Sequence, residues 1–225
     1  MIRSLAFLVL SAASATAFAQ ESKSLFDGKT LDGWKGDPAV WSVKDGALTA
    51  TTSEGQLKYN TFLVWQGGDV KDFELTAKYK MVGGNSGIQY RSKLVDPEKF
   101  IVAGYQADID SKPRYTGINY SEKTGRNILA ERGQKVTIGA DGKKEVESIG
   151  DAAELQKKIK MEDWNDYRIV ARGNRLQHFI NGDLMSEVID NETDKAANSG
   201  VLALQAHTGP PMTVQFKDIT IKELK

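Results

Sequence analysis

The chain of 225 residues contains no cysteine. This absence excludes disulfide bonds and a lipidated amino-terminal cysteine, so the fold must be stabilised by its core alone. An excess of charge of one sign is also lacking, because 30 Lys and Arg balance 30 Asp and Glu. A chain without a basic field or cluster is not expected to bind nucleic acid, and neutral substrates fit it better.

Long apolar runs are absent except near the first residue. Arg3 precedes an apolar stretch from Leu5 to Leu10, and small residues lead to Ala17-Phe18-Ala19. This pattern predicts a signal peptide over residues 1–19, cleaved after Ala19. The apolar stretch is too short for a spanning helix, which needs about 20 apolar residues. We therefore expect a periplasmic or secreted protein that has no membrane contact after cleavage, with residues 20–225 as a single domain.

Turn dipeptides divide the rest of the chain into short alternating segments. Asp45-Gly46, Asp141-Gly142 and Asn181-Gly182 each separate two stretches in which apolar and polar residues alternate. Such dipeptides tolerate the positive φ angles that two-residue hairpins demand. The pattern predicts an all-β protein, a two-layer antiparallel β-sandwich of jelly-roll type.

Two segments depart from the alternating pattern. The stretch "DAAELQKKIK" predicts one short helix with Asp151 as its amino-terminal cap. Residues 110–132 are rich in Gly, Tyr, Arg and Asn and have weak periodicity, which predicts a long ordered loop of functional importance.

Strand parity predicts a polar face that spans three strands. Alternate residues of a strand point to opposite faces, and on three strands one face carries amides, carboxylates, an Arg and a His. A plain solvated face would more often carry Lys, Glu, Thr and Ser. Planar amides, carboxylates and Arg match the vicinal hydroxyl groups of sugars, so we interpret the face as a sugar-binding surface, with a bland exposed face as the alternative. Its residues are Gln89, Arg91, Gln106, Asp108, Asp110, Gln205 and His207.

Candidate acids and bases lie on this face. His207 could act as a general acid or base near neutral pH, or could be a structural residue at a strand end. Asp108 and Asp110 lie two residues apart on one face, which suits an acid–base pair, a calcium site or plain surface charge. The other histidine, His178, has the parity of Leu176 and Ile180 and is expected in the core.

Side chains of the long loop are expected to rim the same site. Aromatic stacking combined with charged side chains would hold a pyranose in a shallow cleft. Packing within the loop is the alternative for each residue. The candidates are Tyr115, Tyr120, Glu122, Arg126 and Arg132, while Trp34, Trp41 and Trp164 are expected in the core.

Several strings of the chain form a recognisable series: "SLFDGKTLDGWKG", "WSVKDGAL", "DFELTAKYKMVGGNSGIQYRS", "GYQADID", "WNDYRIVARGNRLQHFINGDL" and "GVLALQAHTGPPMTVQFKDITIKEL". In this order they resemble the 3-keto-disaccharide hydrolase family, and the resemblance covers nearly the whole mature chain. The resemblance implies a concanavalin A-like, glucanase-like sandwich in an exported protein that acts on oxidised glycosides. One departure is that many members carry Glu and Gln where Gln106 and Asp108 stand here.

The resemblance also implies a substrate and a reaction. Cleavage of a 3-keto glycoside by elimination needs a base near C2, an electrophile for the enolate oxygen and an acid for the leaving oxygen. Our hypothesis makes His207 or Asp108 the base or the acid and Arg91 the enolate stabiliser. Three amides, Gln89, Gln106 and Gln205, then bind hydroxyl groups. No cofactor is expected, although a divalent metal such as calcium is left open, and the sequence gives no oligomeric state.

Three rival functions share the predicted fold. The main one is a non-catalytic carbohydrate-binding module, because a fold does not determine a function. A glycosidase that uses two carboxylates is disfavoured, since the E-x-D-x-x-E run of sandwich glucanases is missing. A cell-surface adhesion domain is the third.

Overall fold

A computed structural model describes residues 21–224 of the chain. The predicted signal peptide and its cleavage site lie outside the described residues. Strands account for most of the described chain, with one five-residue helix. In chain order the elements are β1 (Lys23–Ser24), β2 (Trp34–Lys35), β3 (Trp41–Lys44), β4 (Ala47–Thr52), β5 (Thr61–Trp65), β6 (Phe73–Val82), β7 (Asn85–Asp96), β8 (Ile101–Asp110), β9 (Asn119–Glu122), β10 (Asn127–Ala130), β11 (Gln134–Ile138), β12 (Lys144–Ser148), α1 (Ala152–Gln156), β13 (Asn165–Arg172), β14 (Arg175–Ile180), β15 (Asp183–Asp190), β16 (Val201–Ala206) and β17 (Met212–Glu223).

The strands form two sheets, which confirms the predicted sandwich. A ten-stranded sheet has the order β12-β11-β15-β14-β13-β6-β17-β4-β3, with β1 paired to β17. A seven-stranded sheet has the order β10-β9-β8-β7-β16-β5-β2. The pairing of β11 with β15 is parallel, which departs from the antiparallel arrangement expected throughout. No helix in residues 21–224 is long and apolar enough to cross a membrane.

The core lies between the two sheets and follows the alternation of the sequence. On β7, β8 and β16, one set of alternate residues is buried against the opposite sheet, as the parity argument predicts. This set includes Tyr90, Tyr105 and Leu204. His178 is also buried there, and its Nε2 lies 2.9 Å from the hydroxyl of Tyr90. The other face of the seven-stranded sheet points away from the core, and we call it the outer face.

The predicted hairpin turns are present, with one difference in length. Asp45-Gly46 and Asn181-Gly182 have positive φ at both residues and join paired strands. Asp141-Gly142 also lies between two paired strands, β11 and β12. Its loop covers residues 139–143, however, where Gly139 N donates to the carbonyl oxygen of Lys143.

The long segment predicted as a loop contains a hairpin, so that prediction is wrong in part. Residues 111–118 are irregular, but β9 and β10 then pair with each other and β9 extends the seven-stranded sheet. Its turn, residues 123–126, contains one glycine with positive φ, Gly125, beside Lys123, which also has positive φ, so the sequence lacks the Asn-Gly or Asp-Gly dipeptide of a tight hairpin.

The other departures are small. The predicted helix begins as expected after Asp151, whose carboxylate accepts from Ala153 N and Glu154 N, but it ends at Gln156. Trp34 and Trp41 are core residues, whereas Trp164 is half-buried with the ammonium groups of two lysines over its ring.

The tip of the β7–β8 hairpin covers part of the outer face. The strands are irregular near the tip, and the chain bends back so that Phe100 O accepts from Phe62 N at 3.0 Å. Val102 then packs against Phe62, Val64 and Ala203 in a small second core. The remainder of the outer face stays accessible at the opposite end of these strands.

The same irregularity redirects Arg91, so the expectation that it shares the outer face with Gln89 is wrong. Arg91 has a φ of 46° beside a register shift, and its side chain is 1% exposed. Its guanidinium donates to Lys71 O and Gly173 O, each at 2.6 Å, and to Asp72 Oδ1 at 2.8 Å. These acceptors lie next to the ends of β6 and β13 in the ten-stranded sheet, so Arg91 connects the two sheets.

We therefore predict that Arg91→Lys destabilises the fold without acting on the outer face. A lysine keeps the charge but cannot reach three acceptors in one plane, so the free energy of unfolding should fall by about 2 kcal/mol. Arg168→Lys is the control, because the Arg168–Glu74 ion pair is more than a third exposed on both sides and should matter by less than about 1 kcal/mol. Urea unfolding measures both, and equal losses would contradict the role of Arg91.

Candidate active site

A cleft of about 780 Å³ opens on the accessible part of the outer face. Its floor is formed by the polar side chains of β8, and its walls come from β9, β10, the loop after β8 and the turn after β16. The size is within the range of small-molecule sites, about 300–1,000 Å³. Its lining residues are Asn60, Gly83, Gly84, Asn85, Gln106, Asp108, Asp110, Ser111, Lys112, Tyr115, Ile118, Tyr120, Glu122, Asn127, Ile128, His207, Thr208 and Pro210.

The floor is built by the regular pairing of β7 with β8. Gln106 lies opposite Gln89, Asp108 opposite Gly87, and Asp110 opposite Asn85. Because alternate residues share a face, the three polar side chains of β8 all reach the cleft, as the parity argument predicts.

Gly87 is required by the position of the Gln106 side chain. A Cβ atom at residue 87 would lie 2.6 Å from both Cγ and Cδ of Gln106. Gln106 therefore occupies the space that a side chain at residue 87 would need. From there its Nε2 donates to Asp108 Oδ1 at 2.6 Å.

Asp108 is the most strongly perturbed acid of the cleft. Its side chain is buried, and its Oδ2 accepts from Asn85 Nδ2 at 3.3 Å. Burial raises the pKa of Asp108 to about 8, although the hydrogen bonds from Gln106 and Asn85 act in the opposite direction. At neutral pH this carboxyl group is mostly protonated, so it can donate a proton.

Two further carboxyl groups lie in the same cleft. Burial raises the pKa of Glu122, and its Oε1 accepts from Asn60 Nδ2 at 3.3 Å. Burial also raises the pKa of Asp110, against the backbone N–H of Lys112 that its Oδ1 accepts. His207 lies close enough to both for its charge to oppose this rise in their pKa values.

His207 is held in one orientation by the turn after β16. Its Nδ1 lies beside the carbonyl oxygen of Thr208. Because a carbonyl oxygen only accepts, the ring hydrogen is on Nδ1, and Nε2 keeps a free lone pair when the ring is neutral. Thr208 is itself fixed, since its backbone N–H donates to Asn60 Oδ1 at 3.0 Å.

The rim carries aromatic side chains and one cation. Tyr120 O–H donates to Asn127 Oδ1 at 3.4 Å, and Tyr115 is exposed with Arg114 over its ring. Among the described residues that line the cleft, Lys112 carries the one permanent positive charge. The arrangement offers rings for stacking beside a polar floor.

The structure thus brings together Gln106, Asp108, Asp110, Tyr115, Tyr120, Glu122 and His207. Gln89 and Gln205 have the expected parity but are fully buried beneath the floor, where each bonds to Gln106. Strand parity predicted which face of the sheet these two amides point to, but not that they are buried.

Three of the predicted arginines, Arg91, Arg126 and Arg132, do not line the cleft. Arg91 lies between the layers, as described above. Arg126 forms a paired hydrogen bond with Asp190 at 2.7 and 2.8 Å and an ion pair with Glu192, and its side chain is 4% exposed. The expectation that Arg126 contacts substrate is therefore wrong. Its guanidinium anchors the turn of the β9–β10 hairpin instead, and Arg132 similarly binds Pro113 O and Thr116 O of the cleft loop.

Sequence reasoning missed several lining residues. Asn85 has the same parity as Gly87 and Gln89, so the pattern of β7 could have identified it. Asn60, Lys112 and Asn127 lie outside regular strands or at their ends, where parity gives no signal. Within residues 21–224, no group of three or more His, Asp or Glu is arranged to hold a metal ion.

The chain is similar to known proteins in sequence and in structure. A 3-keto-disaccharide hydrolase of Bacteroides thetaiotaomicron is 36% identical over 84 residues, which is 32% of this chain and 28% of that protein. A crystal structure of a proposed glycosyl hydrolase from Parabacteroides distasonis has a TM-score of 0.58 at 18% identity, covering 91% of this chain and 94% of that one. The catalytic domain of an endo-1,3-β-glucanase from Thermotoga petrophila has a TM-score of 0.54 at 10% identity, covering 92% and 99%.

At these identities the two solved structures establish the fold, and they confirm the glucanase-like sandwich. The sequence comparison also identifies the family. The 3-keto-α-glucoside-1,2-lyase-like domain matches residues 21–222, which is nearly all of the described chain, and the protein therefore belongs to that family.

Proposed function

We propose that the cleft binds a 3-keto disaccharide or glycoside and cleaves its glycosidic bond by elimination followed by addition of water. The observation that carries the proposal is the presence of His207, Asp108 and Glu122 in one cleft, where burial raises the pKa of both carboxyl groups. Family membership supplies the substrate class. We also propose that the protein is exported, and that it acts in the periplasm or outside the cell.

The chemistry of the substrate determines what the cleft must provide. A ketone at C3 acidifies the proton at C2, so a base can remove that proton and form an enolate. The C1 substituent then leaves as its oxygen takes up a proton, and water adds back to C1. Three groups are needed, a base, an acid and a stabiliser of the enolate charge.

His207 is the proposed base. The contact of Nδ1 with Thr208 O leaves Nε2 free to accept a proton. From this position Nε2 could take a proton from a substrate bound in the cleft. The imidazolium that forms lies close to Glu122 and Asp110, whose carboxylates would stabilise it.

Asp108 is the proposed acid. Burial keeps its carboxyl group protonated at neutral pH, which is what donation to the leaving oxygen requires. The sequence left the roles of His207 and Asp108 open, and the two environments favour this division. Glu122, also buried, is the proposed group that orients the water for the second step.

Lys112 takes the role that the sequence gave to Arg91. It is the cation among the described lining residues, and a positive charge near the C3 oxygen would stabilise the enolate. Gln106, Asn60 and Asn85 are the proposed hydroxyl-binding groups, with Tyr115 and Tyr120 stacking on the sugar.

Labelling in deuterated water tests the elimination route. The protein is incubated with a 3-keto disaccharide, and the released 3-keto sugar should carry one deuterium at C2, because the proton removed there is replaced from solvent. Mass spectrometry with NMR measures the label, and the released sugar incubated alone corrects for later exchange. Cleavage without deuterium at C2 would rule out elimination.

The same assay separates the rival functions. An ordinary glycosidase would cleave the unoxidised disaccharide as well. A carbohydrate-binding module would bind either sugar without releasing product, and its binding would survive His207→Ala.

The pH dependence tests the assignment of Asp108. Above about pH 8 the acid is deprotonated, so kcat should fall about tenfold for each further pH unit. Asp108→Asn should lower kcat by about 10²- to 10⁴-fold and abolish this alkaline decline. Asp166→Asn, an exposed aspartate paired with Lys78 away from the cleft, is the control and should keep the wild-type profile. An unchanged alkaline decline in Asp108→Asn would refute the assignment.

A further inference from the structure

A row of buried hydrogen bonds leads to Asp108 from behind the floor of the cleft. Ser92 Oγ lies 2.7 Å from Gln89 Oε1, and Gln89 Nε2 donates to Gln106 Oε1 at 2.7 Å. Gln106 Nε2 then donates to Asp108 Oδ1 at 2.6 Å. All four side chains are at most 6% exposed. Ser92 and Gln89 do not line the cleft, so they act on a ligand only through Gln106.

The polarity of this row is determined by the chemistry of the amide group. A glutamine side chain has a donor end and an acceptor end, and turning it over exchanges them. If Gln89 donates to the oxygen of Gln106, the nitrogen of Gln106 must face Asp108. In this orientation Ser92 Oγ donates to Gln89 Oε1 at 2.7 Å, while Tyr90 O and Tyr105 O lie farther from the hydroxyl, at 3.0 and 3.4 Å.

We propose that Gln89 is a positioning residue, which holds the Gln106 amide with its nitrogen toward Asp108. The proposal rests on the proposed function, in which Asp108 is the acid. With Gln106 N–H on Oδ1, the acidic hydrogen of Asp108 is placed on Oδ2, which also accepts from Asn85 Nδ2 at 3.3 Å, and can pass from there to the leaving oxygen. With the amide reversed, the oxygen of Gln106 would accept that hydrogen and compete with the leaving group.

Without Gln89, the amide nitrogen of Gln106 would have a choice of two acceptors. Gln106 fills the space above Gly87, and its Nε2 is also 3.4 Å from Gln205 Oε1. This second acceptor attracts the nitrogen away from Asp108. The bond from Gln89 fixes the other end of the amide, so that Gln106 points along the strand to Asp108.

The test measures the titration of Asp108 directly, by NMR of its ¹³Cγ, identified by its loss in Asp108→Asn. No substrate is needed, so the result stands whether or not the protein cleaves 3-keto glycosides. In Gln89→Met the titration midpoint should rise by about 0.5–1 pH unit, because the carboxylate loses a fixed donor. Gln106→Met, which removes the donor itself, should raise it further.

Ser86→Ala is the matched control. Ser86 is also buried on β7, but its hydroxyl donates to the backbone oxygen of Gln205, so the midpoint should stay at the wild-type value. If Gln89→Met fails to fold, Ser92→Ala tests the same row and should give a smaller rise.

Two results would overturn the proposal. Either Gln106→Met shifts the midpoint while Gln89→Met and Ser92→Ala do not, or Gln89→Met lowers it, which would mean that the row has the opposite polarity. If the protein is active, the alkaline decline of kcat should move by the same amount as the NMR midpoint in each variant.

Discussion

Burial of the Asp108 carboxyl group is the constraint on which the site depends, because a carboxylate removed from water is costly unless it is paired with a cation or well hydrogen-bonded. Here the contacts come from two neutral amides, Gln106 and Asn85. Amides satisfy a carboxyl group in either protonation state, but they stabilise its charge less than a cation would. The acid is therefore kept neutral, while its position is well defined.

The irregularity of β7 also determines which side chains the outer face presents. Regular alternation would place Arg91 on the outer face beside Gln89. The register shift after Tyr90 turns Arg91 toward Asp72 between the layers instead. A single backbone irregularity thus strengthens the sandwich and leaves neutral amides, without an arginine, on this part of the outer face.

Asp108 and Arg91 also show why the sequence predicts some parts of the site and not others. Period-2 alternation placed Gln106, Asp108 and Asp110 correctly, since β7 and β8 keep one register from Asn85 to Tyr90. It failed at Arg91, because a positive φ at an arginine has no signature in the sequence.

Contacts between residues that are far apart in the sequence set a second limit on what could be predicted. Asp190, the partner of Arg126, is 64 residues away, and nothing in either segment indicates the pairing. The sequence therefore left Arg126 available to bind a sugar. The β9–β10 hairpin was not predicted because its turn, "KTGR", contains Gly125 but no Asn-Gly or Asp-Gly dipeptide. The fold class needed only local patterns, whereas the walls of the cleft needed long-range contacts.

A buried neutral acid also has a consequence for stability. Asp108 has a raised pKa when folded and the ordinary value of 3.8 as reference when unfolded, so between these values the folded state holds its proton more tightly. This contribution is fully present below pH 3.8 and is lost as pH rises through about 8, where folding must accommodate a buried charge. Replacing Asp108 by a neutral isostere would remove that cost together with the acid. The cost of burying an aspartate at this position is explained if its proton is used in the reaction.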